Sequence, residues 1–504
     1  MEGSRTLSRQ PVTSTFKLNN LKFSSPVFRE RIGLFLGILL FIFFLLVNPF
    51  SLDANGRKVL AVAALMITWW IGEAMPMPAV ALIPIVLFPL MGIAGIKETT
   101  AKYADSVIFL FMGGFMIGLA IEKWNLHKRI ALTIVNITGT SGNRIILGFI
   151  LATGLLSMWL SNTATTMMMY PIAASVIFVV KENNKSGNVA NFALGIMLAI
   201  AYASNFGGIS TIIGTPPNVA FVSFIREKYN YTIPFSRWMF ICTPLAFLLL
   251  FSLYFVMVKW LYPNRIKSDL ATHEHIKHEL KQLGPLSSAE RRVLIIFICT
   301  ASLWIFKDLI NELKWVQLDD TMIAIIGALA LFLCPSGENN IPSSKYVLEW
   351  SDTTKMAWGI LLLFGGGIAL ASALEKAGLI ALLGKWIAGF SGSDPLVLVF
   401  MIALVSIFIS EVMSNIAQVL VFSPVIAGIA DALHMNPIML GLPMCLGASC
   451  ASMMPMGTPP NAIVFASGHI QMKQMMRTGF VMNIICVILI TLFCWLLVPV
   501  LLRA

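Results

Sequence analysis

Charge is scarce in this chain. Asp, Glu, Lys and Arg make up 12 % of its 504 residues and apolar residues 58 %, whereas soluble domains carry about 25 % charged residues. A water-soluble globule is excluded. No glycine-rich phosphate loop is present, which argues against ATP-driven transport. The seven cysteines show no C-x-x-C spacing and lie in or beside apolar runs, so they read as free, small core side chains. The six histidines (His127, His273, His275, His278, His434 and His469) fall in or near polar loops. None stands where a membrane-embedded enzyme would need a nucleophile–base pair or a metal cluster. The tract His273–His278 sits in a charged, helix-forming loop and reads as a solvated face, not a metal site.

What the chain does have is long apolar runs. Residues 32–50, 106–120, 240–258 and 480–502 are examples, each near the ~17–25 residues that cross a bilayer core. The net charge of +11 is not spread as a nucleic-acid patch. Arg5, Arg9, Lys17, Lys22, Arg29 and Arg31 precede the first run, Lys123, Lys128 and Arg129 share one loop, and the longest loop carries six more basic residues. That is the cytoplasmic bias which sets topology, and it puts the N-terminus in the cytoplasm. The first run has no small-residue cleavage site behind it and reads as a retained helix.

The chain also repeats itself. Phe111-Met112-Gly113-Gly114 with Glu122-Lys123 recurs 253 residues on as Phe364-Gly365-Gly366-Gly367 with Glu375-Lys376. At the same offset Ser157, Ser161-Asn162-Thr163-Ala164 and Pro171 become Ser410, Ser414-Asn415-Ile416-Ala417 and Pro424. Each half ends in an identical pentapeptide, Gly214-Thr215-Pro216-Pro217-Asn218 and Gly457-Thr458-Pro459-Pro460-Asn461. Counting spans from a cytoplasmic N-terminus gives an all-α membrane protein of eleven spans and two re-entrant hairpins. The hairpins fall at 131–180 and 394–430 and enter from opposite faces, so the copies are inverted. The divisions expected are a basic segment 1–31, scaffold parts 32–105 and 293–355, a loop 261–292, and repeats 106–260 and 356–504.

Inverted repeats with interrupted helices build secondary transporters, and a non-helical tip within a membrane is tolerable only in protein or beside a wet cavity. Ser and Asn cap the returning arm of each hairpin. Their oxygens, with Ser157 or Ser410 one turn below and spare backbone carbonyls, suit sodium. In Gly-Thr-Pro-Pro-Asn, glycine permits an unwound backbone and proline opens the next helix, whose free amides favour a carboxylate or sulfate oxygen. No Arg or Lys lies at these positions.

These paired motifs resemble those of the divalent anion/sodium symporters (the DASS or INDY group) over almost the full chain. The resemblance implies a homodimer in which a transport domain moves against a scaffold as an elevator. It implies one sodium site of Ser157, Ser161, Asn162 and Gly214, and a second of Ser410, Ser414, Asn415 and Gly457. It implies an anion held by Asn162, Thr163, Thr215, Asn415, Thr458 and Pro459. One departure is Ile416, where bacterial dicarboxylate members commonly carry Thr and animal citrate and dicarboxylate carriers a branched apolar residue. The function expected is sodium-coupled symport of a C4 dicarboxylate such as succinate, malate or fumarate in an inner or plasma membrane. Sodium-independent carboxylate exchange, and sodium-coupled sulfate or citrate transport, are the alternatives. A passive channel would not need two inverted sites.

Other residues read as structural. Glu122 and Glu375 end spans beside lysines, as interfacial ion pairs do. Glu411, next to Ser410, either tunes the second cation site or ties down backbone amides. Glu73 falls at a membrane boundary, Trp69-Trp70 reads as an interfacial anchor, and the 28 methionines as adaptable packing.

Overall fold

The computed structural model describes residues 26–183, 188–267, 270–314, 316–337, 345–382 and 394–501. Arg5, Arg9, Lys17 and Lys22 of the basic N-terminal segment lie outside them. The all-helical expectation is met: among the described residues the only β-pairing is one isolated bridge, Pro335 with Tyr346.

The chain opens with α1 (Pro26–Leu46), α2 (Ala54–Gly72), the short α3 (Met77–Val80) and α4 (Ile83–Met91), and α5 (Ile96–Ala101). Next come α6 (Ser106–Lys123), α7 (Leu126–Thr138), α8 (Gly142–Ser157), α9 (Asn162–Asn183), α10 (Val189–Gly208), α11 (Pro216–Tyr229) and α12 (Phe235–Phe255). After α13 (Leu270–Gln282) follow α14 (Ser288–Glu312), α15 (Asp320–Leu333) and α16 (Trp358–Lys376). The last are α17 (Pro395–Ser410), α18 (Asn415–Ala432), α19 (Pro437–Ala448), α20 (Pro459–Phe465) and α21 (Met472–Leu501). Eight of the described helical stretches are long and apolar enough to cross a bilayer, and six shorter apolar ones accompany them.

Polar residues mark where these helices begin. Asp53, Asp105, Asp319 and Asp394 each accept a first-turn backbone N–H at 2.7–2.9 Å, and an anionic cap also suits the positive end of the helix dipole. One proline divides an apolar stretch. The apolar stretch Met77–Met91 is divided into α3 and α4, where Pro84, in the first turn of α4, has no backbone N–H to give the Val80 carbonyl. Residues 131–138, expected within the first hairpin, belong to α7, which stops at Gly139 with φ +101°.

The two halves meet through equivalent residues. Phe111 on α6 and Phe364 on α16 stack edge to face with ring centroids 5.5 Å apart, and they are related by the 253-residue offset. A residue meets its own counterpart only near an axis relating the two copies. The lysines closing these two helices do not pair with the glutamates before them. Lys123 reaches Asp352 at 2.7 Å, and Lys376 reaches Glu98.

α8 and α9 are joined through a four-residue tip, 158–161, and α17 and α18 through 411–414. The first arm of each has 16 residues, or about 24 Å of helix at ~1.5 Å per residue, short of the roughly 30 Å hydrocarbon core. α10 packs hard against the first pair: a methyl on Gly207 would overlap the backbone of Gly154 on α8. Neither backbone can give way cheaply. Gly207→Ala is therefore expected to cost about 1–3 kcal/mol, read as a lower Tm of the purified protein in detergent. An unchanged Tm would mean that these helices separate more easily than their contact implies.

Candidate functional site

The two halves build the same local structure from the same residues. In the first, Ser157 Oγ lies 2.8 Å from Asn162 Oδ1 and 2.8 Å from the Ser204 carbonyl. In the second, Ser410 Oγ lies 2.9 Å from Asn415 Oδ1 and 2.6 Å from the Ala448 carbonyl. A serine hydroxyl has one proton to donate, so each cluster offers two acceptors to a single donor. Such an oxygen-rich, proton-poor arrangement is what a small hard cation relieves. Asn162 is turned this way by its amide, which faces Asn205 Oδ1 at 3.5 Å. It also needs Gly208 opposite, where a methyl would collide with its carboxamide oxygen.

The helix breaks are closed just as symmetrically. Asn218 Nδ2 donates to the carbonyls of Gly208 (3.2 Å) and Thr211 (2.8 Å), ten and seven residues earlier. Asn461 Nδ2 donates to Ala451 (3.2 Å) and Met454 (3.1 Å), again ten and seven residues earlier. Thus the last residue of each Gly-Thr-Pro-Pro-Asn element reaches back across the unwound segment and satisfies its carbonyls. Both asparagines are fully buried.

The breaks are tied to the tips differently in the two halves. In the first, Thr211 Oγ1 donates to the Met158 carbonyl at 2.5 Å. In the second, the residue matching Met158 is Glu411. Its Oε1 accepts from the backbone amides of Ser452 and Met453 (both 2.8 Å) and from Asn483 Nδ2 (2.7 Å), and its Oε2 from the amide of Met454 (2.8 Å). Of the two readings of Glu411, the structure shows the amide tether.

Tips and breaks from both halves enclose one cavity of about 540 Å³. All six residues expected to hold the anion line it: Asn162, Thr163, Thr215, Asn415, Thr458 and Pro459. Of the expected cation ligands, Ser161, Ser414 and Gly457 also line it, whereas Ser157, Ser410 and Gly214 sit behind the tips. Among the described residues, its lining contains no Lys, Arg or His, and one charged residue, Glu73.

Sequence reasoning missed two of the polar lining residues. Glu73 caps α2 in a left-handed conformation (φ 52°), and its only sequence signal is its place between an apolar run and prolines. Asn205 is buried within α10 and donates to Thr458 Oγ1 at 3.1 Å, so it links the two halves across the site. A lone Asn inside an apolar span is itself a signal for an internal polar contact.

Residues 31–502 match the family described as the sodium:sulfate symporter transmembrane region. The chain belongs to that family. It is 37 % identical over 484 residues to the sodium-dependent dicarboxylate transporter SdcS of Staphylococcus saprophyticus, covering 93 % of this chain and 92 % of that one. It is also 37 % identical to SdcS of Staphylococcus aureus strain USA300 over 487 residues, 94 % of this chain and 92 % of the relative. The solved structure of the Alcanivorax borkumensis YdaH transporter shares the fold, with a TM-score of 0.55 at 12 % identity over 93 % of this chain and 96 % of that one. The expected kinship with the divalent anion/sodium symporters is borne out, and the protein is a multi-pass membrane transporter, not an enzyme.

In this family member, the breaks depend on two buried amides. Asn218→Ala or Asn461→Ala strands two carbonyls each, at about 1–3 kcal/mol per orphaned group. Each variant is expected to melt at lower temperature than the parent. Wild-type stability in both would mean that the breaks hold their shape by other contacts.

Proposed function

We propose that the protein is a sodium-coupled symporter of a small divalent organic anion, a C4 dicarboxylate such as succinate, malate or fumarate. The observation that carries this reading is the matched pair of proton-poor oxygen clusters flanking one cavity with no basic residue among its described lining residues. A dianion entering such a cavity needs positive charge from elsewhere, and two bound sodium ions supply it. The 37 % identical relatives, named as sodium-dependent dicarboxylate transporters, point the same way.

In this reading one sodium is held by Ser157, Ser161, Asn162 and Gly214, and the other by Ser410, Ser414, Asn415 and Gly457. Each ion draws a tip onto its break and fixes the asparagine amide and the threonine hydroxyl beside it. Asn162, Thr163, Thr215, Asn415, Thr458 and Pro459 then meet the carboxylates, helped by the positive ends of α9, α11 and α18. Ile416 gives the second tip an apolar face where the first has Thr163, so one end of the anion meets fewer donors. Binding of sodium before the anion follows, because the anion alone would enter an oxygen-lined site with no positive side chain among its described lining residues. The repeats are inverted, the N-terminus is cytoplasmic, and the hairpins and broken helices move as one elevator domain against a scaffold of 32–105 and 293–355 in each protomer of a homodimer. The 16-residue first arms of the hairpins support re-entry, and Lys123 at the end of α6 with Lys128 and Arg129 beyond it support the orientation.

The test is uptake of labelled succinate into proteoliposomes under an inward sodium gradient, repeated with potassium or choline. Accumulation is expected with sodium alone; uptake that ignores sodium but needs anion preloaded inside would replace symport by exchange. Competition by citrate and sulfate ranks the substrates. Asn162→Ala and Asn415→Ala are each expected to abolish sodium-driven uptake, and normal rates in both would remove the site assignment. Ile416→Thr is expected to shift substrate preference with little change in sodium half-saturation; the opposite pattern would reverse these roles.

A further inference from the structure

One face of the N-terminal end of α21 buttresses the second break. A methyl on Gly479 would overlap the Ser452 carbonyl oxygen and the Met453 Cα, and Asn483, one turn on, donates to Glu411 Oε1 at 2.7 Å. The flank beside that face is open. Lys473, Met476, Arg477 and Phe480 follow one another at helical spacing and are exposed. With Met453 and Val481 they line a groove of about 660 Å³. Met453 belongs to the break itself, since Glu411 Oε1 accepts from its amide at 2.8 Å. Groove and break therefore share a residue.

The depth of the groove in the bilayer follows from length. α21 has 30 residues, about 45 Å of helix at ~1.5 Å per residue, against a hydrocarbon core of roughly 30 Å. Its apolar part, from Phe480 onwards, fills that core, so Lys473 and Arg477 stand at headgroup depth. Below them the exposed face runs on through Phe480, Ile488, Leu492 and Leu496, towards the acyl chains. The eight ion pairs among the described residues include neither Lys473 nor Arg477. Like charges four residues apart on a helix repel, and here they do so on the helix that holds the break. A phosphate between them ends that repulsion. A zwitterionic headgroup brings its own cation to the same place, whereas an anionic one does not, and the groove below is apolar enough for an acyl chain. Charge, depth and apolarity agree on one occupant.

We propose that this groove binds an anionic phospholipid, with its phosphate between Lys473 and Arg477 and an acyl chain along Met476 and Phe480 against Met453. The bound lipid holds α21 on the second break. This binding goes beyond the symport reading and does not rest on it.

The test is native mass spectrometry of the full-length protein released from detergent, with phosphatidylglycerol and phosphatidylcholine of the same acyl chains added in turn. The parent is expected to retain phosphatidylglycerol in preference. Lys473→Gln with Arg477→Gln is expected to weaken that binding about 25-fold, at roughly fivefold for each basic side chain at a membrane surface. Lys277→Gln with Lys281→Gln removes the same charge from α13 and is expected to leave the preference intact. Equal retention of both lipids by the parent, or an equal loss in the α13 variant, would overturn the site. Displacement of phosphatidylglycerol by glycerol phosphate at equal concentration would assign the basic pair to a soluble anion. A change of oligomeric state on replacing Lys473 and Arg477 would assign the face to contact between copies. Either result rejects the lipid. The hold on the break is read by Tm, which phosphatidylglycerol is expected to raise in the parent and not in the Lys473→Gln, Arg477→Gln variant. An equal rise in both would overturn that hold.

Discussion

A helix broken inside a membrane leaves backbone groups that lipid cannot satisfy. The whole structure depends on how two such breaks are closed. Asn218 and Asn461 each reach back to carbonyls ten and seven residues earlier. With those carbonyls occupied, the chain can leave helical geometry beside Gly208 and Ala451 and re-enter it at Pro216 and Pro459. That departure lets Thr215 and Thr458 face the cavity. The same departure exposes the Ser204 and Ala448 carbonyls to the serines at the ends of α8 and α17. The proposed cation cluster, the proposed anion wall and the tip position thus all follow from one side-chain amide per half.

The symmetry is close where the chain must break and looser where charge must be placed. Met158 and Glu411 occupy one position in the two halves, yet only the second bears a carboxylate, held by three backbone amides and Asn483. Thr165 and Gln418 differ in reach, and Thr163 and Ile416 differ in hydrogen-bonding capacity. An anion whose two ends meet different tips is bound in a defined orientation. Such differences give a site of near-twofold construction different hydrogen-bonding groups on its two sides. Asn205, donating to Thr458, ties the halves together across the cavity.

Much of this was legible in the sequence, for a physical reason. A break in a membrane helix demands Gly, Pro, Ser, Thr or Asn in a fixed order, and two copies of that order at matched offsets stand out against an apolar background. The tips and the breaks were found in that way, whereas the six residues proposed to hold the anion came from the family resemblance, and all six line the cavity. What escaped was contact between distant segments. Lys123 lies next to Glu122 in sequence but pairs with Asp352, more than two hundred residues away. Asn205 looks like one polar residue in an apolar helix until α20 is laid against it. Glu73 reads as a boundary residue because nothing local shows that the end of α2 faces the cavity.

The central claim is that the two serine–asparagine clusters bind sodium. Its most direct test is the Tm of the purified protein as sodium chloride replaces choline chloride at constant ionic strength, without anion present. Sodium is expected to raise the Tm saturably, with Ser157→Ala and Ser410→Ala each reducing the rise. The same Tm in sodium and choline, across the parent and both variants, would contradict it.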